Sequence, residues 1–176
     1  GGNGTSVASA VLVLDDGGGR LADATVIFRQ LPTFAGNLHF GSRLVFGPQG
    51  ELFVTVGERS DASVRDQAQD LASGLGKTFR IDQTGVAWPG NPFIGTPGAL
   101  PQIWSLGHRN MQAAALDSKG RLWTVEHGPR GGDELNIIER DGNYGFPLVS
   151  YGVQYHTHTW PHGAVPGNHD GFRQPV

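Results

Sequence analysis

The segments "VFGPQGELFVTVGE" (45–58) and "ALDSKGRLWTVEHG" (115–128) decide the fold. In each, a glycine-bearing turn joins two apolar runs, and Gly50 aligns with Gly120 and Leu52 with Leu122 at an offset of 70 residues. Repetition of a strand-turn-strand unit is the mark of a propeller, in which four-stranded blades surround a central channel. The offset is long for a blade, so loops are expected to be inserted between strands. At that repeat length the 176 residues supply about two and a half to three blades, fewer than the 4 to 8 of a closed ring. The chain therefore reads as all-β, with residues 1–176 forming one incomplete propeller domain.

The flanking sequence agrees. "SVASAVLVLDDGGGRLADATVIFRQL" (6–31) has two β-branched runs around a glycine-rich loop, the pattern of a hairpin. "GKTFRIDQTGVAW", "QIWSLGH" and "DELNIIERDGNYGFP" supply further strands, whereas "DASVRDQAQDLASGL" (61–75) reads as a loop with a short turn of helix. Gly 28 and Pro 11 are spread along the chain, which favours many short strands joined by turns. A net charge of -3 offers no broad basic surface for nucleic acid, and no apolar run approaches the roughly 20 residues of a membrane helix. With no Cys there are neither disulfides nor thiolate metal sites. The single Met is Met111, so the sequence is expected to be processed or excised from a longer chain; it contains no signal peptide.

The loop "EHGPRGGDELN" (126–136) holds more glycine than a tight hairpin needs. Calcium takes several oxygen ligands, backbone carbonyls among them, and a proline presents a carbonyl without a competing N–H. Gly128 and Pro129 suit that role, Asp133 and Glu134 can add carboxylates, and the carbonyl of Tyr144 in "GNYGFP" can join them. On spacing alone the plainer reading is an ordinary glycine-rich turn with solvated acids. In "GHRNMQ" (107–112), Arg109 can neutralise an anionic ligand or a developing oxyanion, although a surface ion pair is the commoner use. His39, just ahead of a strand, can act as a general base, a role suited to histidine because the unperturbed imidazole pKa lies near neutrality, although most loop histidines are structural or exposed. The tail histidines His156, His158, His162 and His169 carry no carboxylate or thiolate pattern that fixes a metal geometry, and read as part of a polar, mobile loop.

Together, "LHFGSRLVFGPQGELFVTVGE", "LGKTFRID", "IWSLGHRN", "EHGPRGGDELN" and "GNYGFP", in this order, resemble the soluble quinoprotein sugar dehydrogenases, the PQQ-dependent glucose and aldose sugar dehydrogenases. The resemblance runs from about residue 37 to 153. It implies part of a six-bladed propeller that holds pyrroloquinoline quinone (PQQ) over the channel mouth, with calcium beneath it. It places the base on His39, the cofactor and substrate contacts on His39, Arg109 and Asn110, the active-site calcium on the carbonyls of Gly128 and Pro129, and a second calcium on Glu134 and Tyr144. It further implies oxidation of an aldose at C1, an external electron acceptor, and a periplasmic or secreted location. Two positions depart from the family: Leu38 stands where the glucose enzyme has an acid, and Met111 where a proline is usual. The blades beyond this chain would carry further cations for the PQQ carboxylates. A calcium-dependent propeller hydrolase of the lactonase kind, or a non-catalytic propeller that binds a sugar or a protein, are the competing readings.

Overall fold

The computed structural model describes residues 1–160 and 169–176 and is built from nine strands in three antiparallel sheets. Strands β1 (Ser6–Asp15) and β2 (Gly18–Arg29) form a long hairpin. Strands β3 (Gly41–Phe46), β4 (Leu52–Val56), β5 (Lys77–Ile81) and β6 (Ile103–Leu106) follow one another in a four-stranded meander. Strands β7 (Met111–Leu116), β8 (Leu122–Glu126) and β9 (Glu134–Ile138) form a third sheet in the same manner. Consecutive meanders of this kind are the blades of a propeller, and the structure is all-β.

The repeat seen in the sequence is a repeat of turns. Gly47 N–H donates to the Glu51 carbonyl and Gly50 N–H to the Gly47 carbonyl; seventy residues later Asp117 N–H donates to Arg121 and Gly120 N–H to Asp117. Gly50 and Gly120 have φ of +94° and +76°, a conformation that glycine adopts at no steric cost. The inserted loops are also present. Between β4 and β5 the chain makes a single 3₁₀ turn, Arg65–Gln69, which is all the helix among the described residues. Between β5 and β6 it makes a series of turns.

The middle sheet is walled by a core on each face. Leu52, Val54 and Val56 join Val7, Phe79, Ile81 and Ile103 against the β1–β2 hairpin. Phe53, from the opposite face of β4, joins Leu122, Ile138 and Tyr144 against the third sheet. This period-2 alternation is why the run "LFVTV", apolar but for Thr55, is buried throughout: it serves two interfaces. Met111 is fully buried with its sulfur 3.4 Å from the Thr78 hydroxyl, so its departure from proline is a packing change inside this interface. On the outer part of the first hairpin Leu12, Leu14 and Leu21 are exposed.

Candidate active site

The strand ends of the second and third sheets converge on a cavity of about 360 Å³ whose lining includes His39, Glu58, Arg65, Arg109, Pro129 and His156. Small-molecule sites fall in the range of roughly 300–1,000 Å³. His39 enters from the loop ahead of β3 with φ of +49°. Its Nδ1 lies 2.6 Å from Oε1 of Glu58, which follows β4 and is 1% exposed. That bond occupies one ring nitrogen and leaves Nε2 as the one free to face the cavity. Oε2 of Glu58 is buried with no hydrogen-bond partner among the described residues.

Arg109 is held from both ends. Its carbonyl accepts from Glu58 N–H at 2.9 Å, and its own N–H donates to Oε1 of Glu126. Its Nη1 donates to the carbonyls of His127 (2.8 Å) and Gly128 (2.6 Å), and burial holds the guanidinium below its ordinary pKa. Asn110 does not line the cavity. Its Oδ1 accepts from Gly41 N–H (3.2 Å) and from Gln112 (2.9 Å), so its amide joins the start of β3 to β7.

Beneath Arg109 a small recess is lined by Glu126, Gly128, Pro129, Glu134 and Tyr144. Glu126 and Glu134 are Cα partners across β8 and β9, and burial together with the Glu126 charge pushes the Glu134 carboxyl well above its ordinary range. Two carboxylates and several backbone carbonyls around one recess form an all-oxygen donor set suited to a hard cation, which would relieve that repulsion. Among the described residues no group of three or more His, Cys, Asp or Glu surrounds one point, so carbonyls must complete any such set. Asp133 lies outside it: exposed, it accepts from Gly128 N–H at 2.9 Å and closes the loop. Two of the loop's glycines are explained by packing, since a Cβ at Gly128 would strike the Gly132 carbonyl and one at Gly132 would strike Gly152.

Glu58 and Glu126 are the residues that sequence reasoning passed over, although each ends an apolar strand. Glu126 is the acceptor of a fully buried chain in which Ser105 Oγ lies 2.8 Å from His108 Nε2, and His108 Nδ1 lies 2.9 Å from Glu126 Oε2. The tail histidines divide. His156 lines the cavity and His158 is exposed 3.5 Å from Arg130, but His169 is buried, stacked on Tyr151 with ring centroids 4.1 Å apart, which corrects its assignment to a polar surface loop. His162 lies outside the described residues.

The model of the glucose/sorbosone dehydrogenase family matches residues 1–176. The chain belongs to this family. It is 43% identical over 143 residues to the aldose sugar dehydrogenase YliI of Escherichia coli, an alignment that covers 81% of this chain and 38% of that protein. The crystal structure of the soluble aldose sugar dehydrogenase of Escherichia coli in the apo-form superposes with a TM-score of 0.88 at 40% identity, over 98% of this chain and 48% of that one. The PQQ-bound form of the aldose sugar dehydrogenase of Streptomyces coelicolor superposes with a TM-score of 0.70 at 35% identity, over 93% and 43%. The chain thus spans less than half the length of these relatives.

Proposed function

We propose that the protein containing this chain oxidises aldose sugars at C1, with PQQ as hydride acceptor and His39 as general base. The observation that carries the reading is the contact of His39 Nδ1 with Glu58 at 2.6 Å on the wall of a cavity that Arg109 shares. Nδ1–H donated to the Glu58 carboxylate selects the tautomer whose Nε2 carries the lone pair. Nε2 then takes the proton of the anomeric hydroxyl as hydride leaves C1, and the carboxylate stabilises the imidazolium that forms. Arg109 neutralises charge that develops on oxygen in a buried site, where such a countercharge is most effective.

When bound, PQQ supplies the two-electron acceptor and calcium polarises its quinone carbonyl. The residues present fit both. Arg65 and Arg109 give the cavity the cations that a flat tricarboxylate requires, and His156 also lines it. Gly128 and Pro129 both border the recess and Pro129 also borders the cavity, and the Gly128 oxygen, which accepts one bond from Arg109, retains a second lone pair for a metal. Glu134 with the Tyr144 carbonyl would hold a second calcium. Asn110 would act in this scheme by bracing the backbone at Gly41. Residues 1–176 would form about half of a six-bladed ring whose remaining blades complete the cofactor's grip, in a periplasmic or secreted enzyme that passes electrons to an external acceptor. A lactonase-like hydrolase would use the same metal carbonyls and histidine to activate water.

The test is a dye-linked assay of the complete protein with aldoses. Turnover that requires both PQQ and calcium is expected, and turnover unchanged by exhaustive chelation and without PQQ overturns the proposal.

A further inference from the structure

Arg59 is a buried cation next to the site for which the proposed reaction has no use. It is 2% exposed, yet its guanidinium is fully engaged. Nε donates to the carbonyl of Leu38 (2.9 Å) and Nη2 to that of Gly36 (2.7 Å), while Nη1 and Nη2 bond the carbonyl and side-chain oxygens of Asn3 (3.0 and 2.7 Å). Its Cζ lies 3.8 Å from the centre of the Phe40 ring. One side chain thus grips residues 36, 38 and 40, on both sides of His39.

The backbone there needs a grip. His39 and Arg59 have φ of +49° and +74°, a left-handed conformation that is costly for a residue with a Cβ and persists only where the surroundings enforce it. The three residues after β4 divide the task. A Cβ at Gly57 would strike the His39 carbonyl, so glycine there lets the two backbones meet. Glu58 holds the ring of His39, and Arg59 holds the carbonyl that precedes it.

We propose that Arg59 is a positioning residue for the His39 imidazole, acting through the Leu38–His39 peptide; the proposal rests on the reading of His39 as the base. Glu58 fixes a single ring atom, and a ring held at one atom can still pivot about that bond. By fixing the peptide plane that enters His39, Arg59 fixes the direction in which Cβ leaves the backbone. The two holds together determine where Nε2 points.

The test uses the complete protein and two variants, Arg59→Met and Arg59→Lys. One readout is the ¹⁵N spectrum of the His39 imidazole without PQQ, assigned by its loss in His39→Gln. The other is steady-state kinetics with PQQ and calcium. In Arg59→Met, kcat should fall about 10²-fold, the loss that a roughly 1 Å misplacement brings, with KM for the aldose unchanged, and the His39 signals should move toward those of a ring averaging two tautomers. Arg59→Lys keeps the charge but not the planar fork, so it should shift both readouts in the same direction by less. Wild-type kcat with unmoved His39 signals in Arg59→Lys overturns the proposal, even if Arg59→Met fails to fold. A lower melting temperature with both readouts unchanged makes Arg59 a structural staple only, and overturns it equally. Full turnover in His39→Gln would remove the base reading, while the His39 spectrum would still report whether Arg59 holds the ring.

Discussion

Glu126 and Glu134 face each other as Cα partners across β8 and β9, so two carboxylates border one recess, where burial first and the Glu126 charge second push the Glu134 carboxyl above its ordinary range. Removing one should change what calcium does for stability. In the complete protein, calcium should raise the melting temperature of wild type more than that of Glu134→Ala, because a ligand that binds only the native state stabilises it by about 2.7 kcal/mol at a hundredfold excess over Kd. PQQ-dependent turnover at low temperature should survive in both, since Gly128 and Pro129 contribute carbonyls that the substitution does not touch. Equal calcium-dependent shifts by scanning calorimetry would reduce Glu134 to a turn residue.

Glu58 and His39 should act as one unit. His39→Gln is expected to lower kcat by roughly 10² to 10⁴ with PQQ affinity nearly intact, and Glu58→Gln to lower it within a similar range. The double variant should be no slower than His39→Gln alone, because Glu58 acts only through the His39 ring and its loss adds nothing once that ring is gone. Additive losses in a double-mutant cycle would show that the two act separately.

Lys77 makes a prediction about pH. Its side chain is fully buried and its ammonium donates to the carbonyls of Gln67, Ala68 and Leu75 at 2.7–2.9 Å, which binds the 3₁₀ turn to β5. Burial pushes it from an ordinary 10.5 down to about 7, and the charge of Asp70 works against that push. A lysine that binds its proton less tightly when folded gains protons on unfolding between those two values. Stability should therefore rise with pH above about 7, and Lys77→Met should remove that slope. The variant should also be destabilised, at about 1–3 kcal/mol for each buried carbonyl left unpaired. Denaturant melts at pH 6 and pH 9 measure both effects, and parallel curves for the two proteins would contradict the assignment.

The strands and repeat were legible because Gly50 and Gly120 sit at matching turns and β4 is apolar at every position but Thr55, features that depend on local sequence. His39 and Arg109 were legible as residue types able to do the chemistry. Their partners were not: an acid that ends an apolar run looks like the first solvated residue of a loop, and only the antiparallel pairing of β3 with β4 carries Glu58 back to a histidine 19 residues earlier. Glu126 is hidden for the same reason, since its partners His108 and Arg109 come from the segment between β6 and β7 and Glu134 from β9. The amide of Asn110 was expected at the cofactor but bonds Gly41, a contact 69 residues away in sequence that no local pattern announces.

The middle sheet also governs how the molecule comes apart. Phe53 and Val54 are adjacent in sequence yet belong to different cores, so opening either interface loosens a strand that the other depends on. The second and third sheets should consequently share one fate. Amide hydrogens of β4, β5 and β8 should exchange at a common, slowest rate set by global unfolding, while the outer β1–β2 hairpin, with water on its leucines, exchanges first.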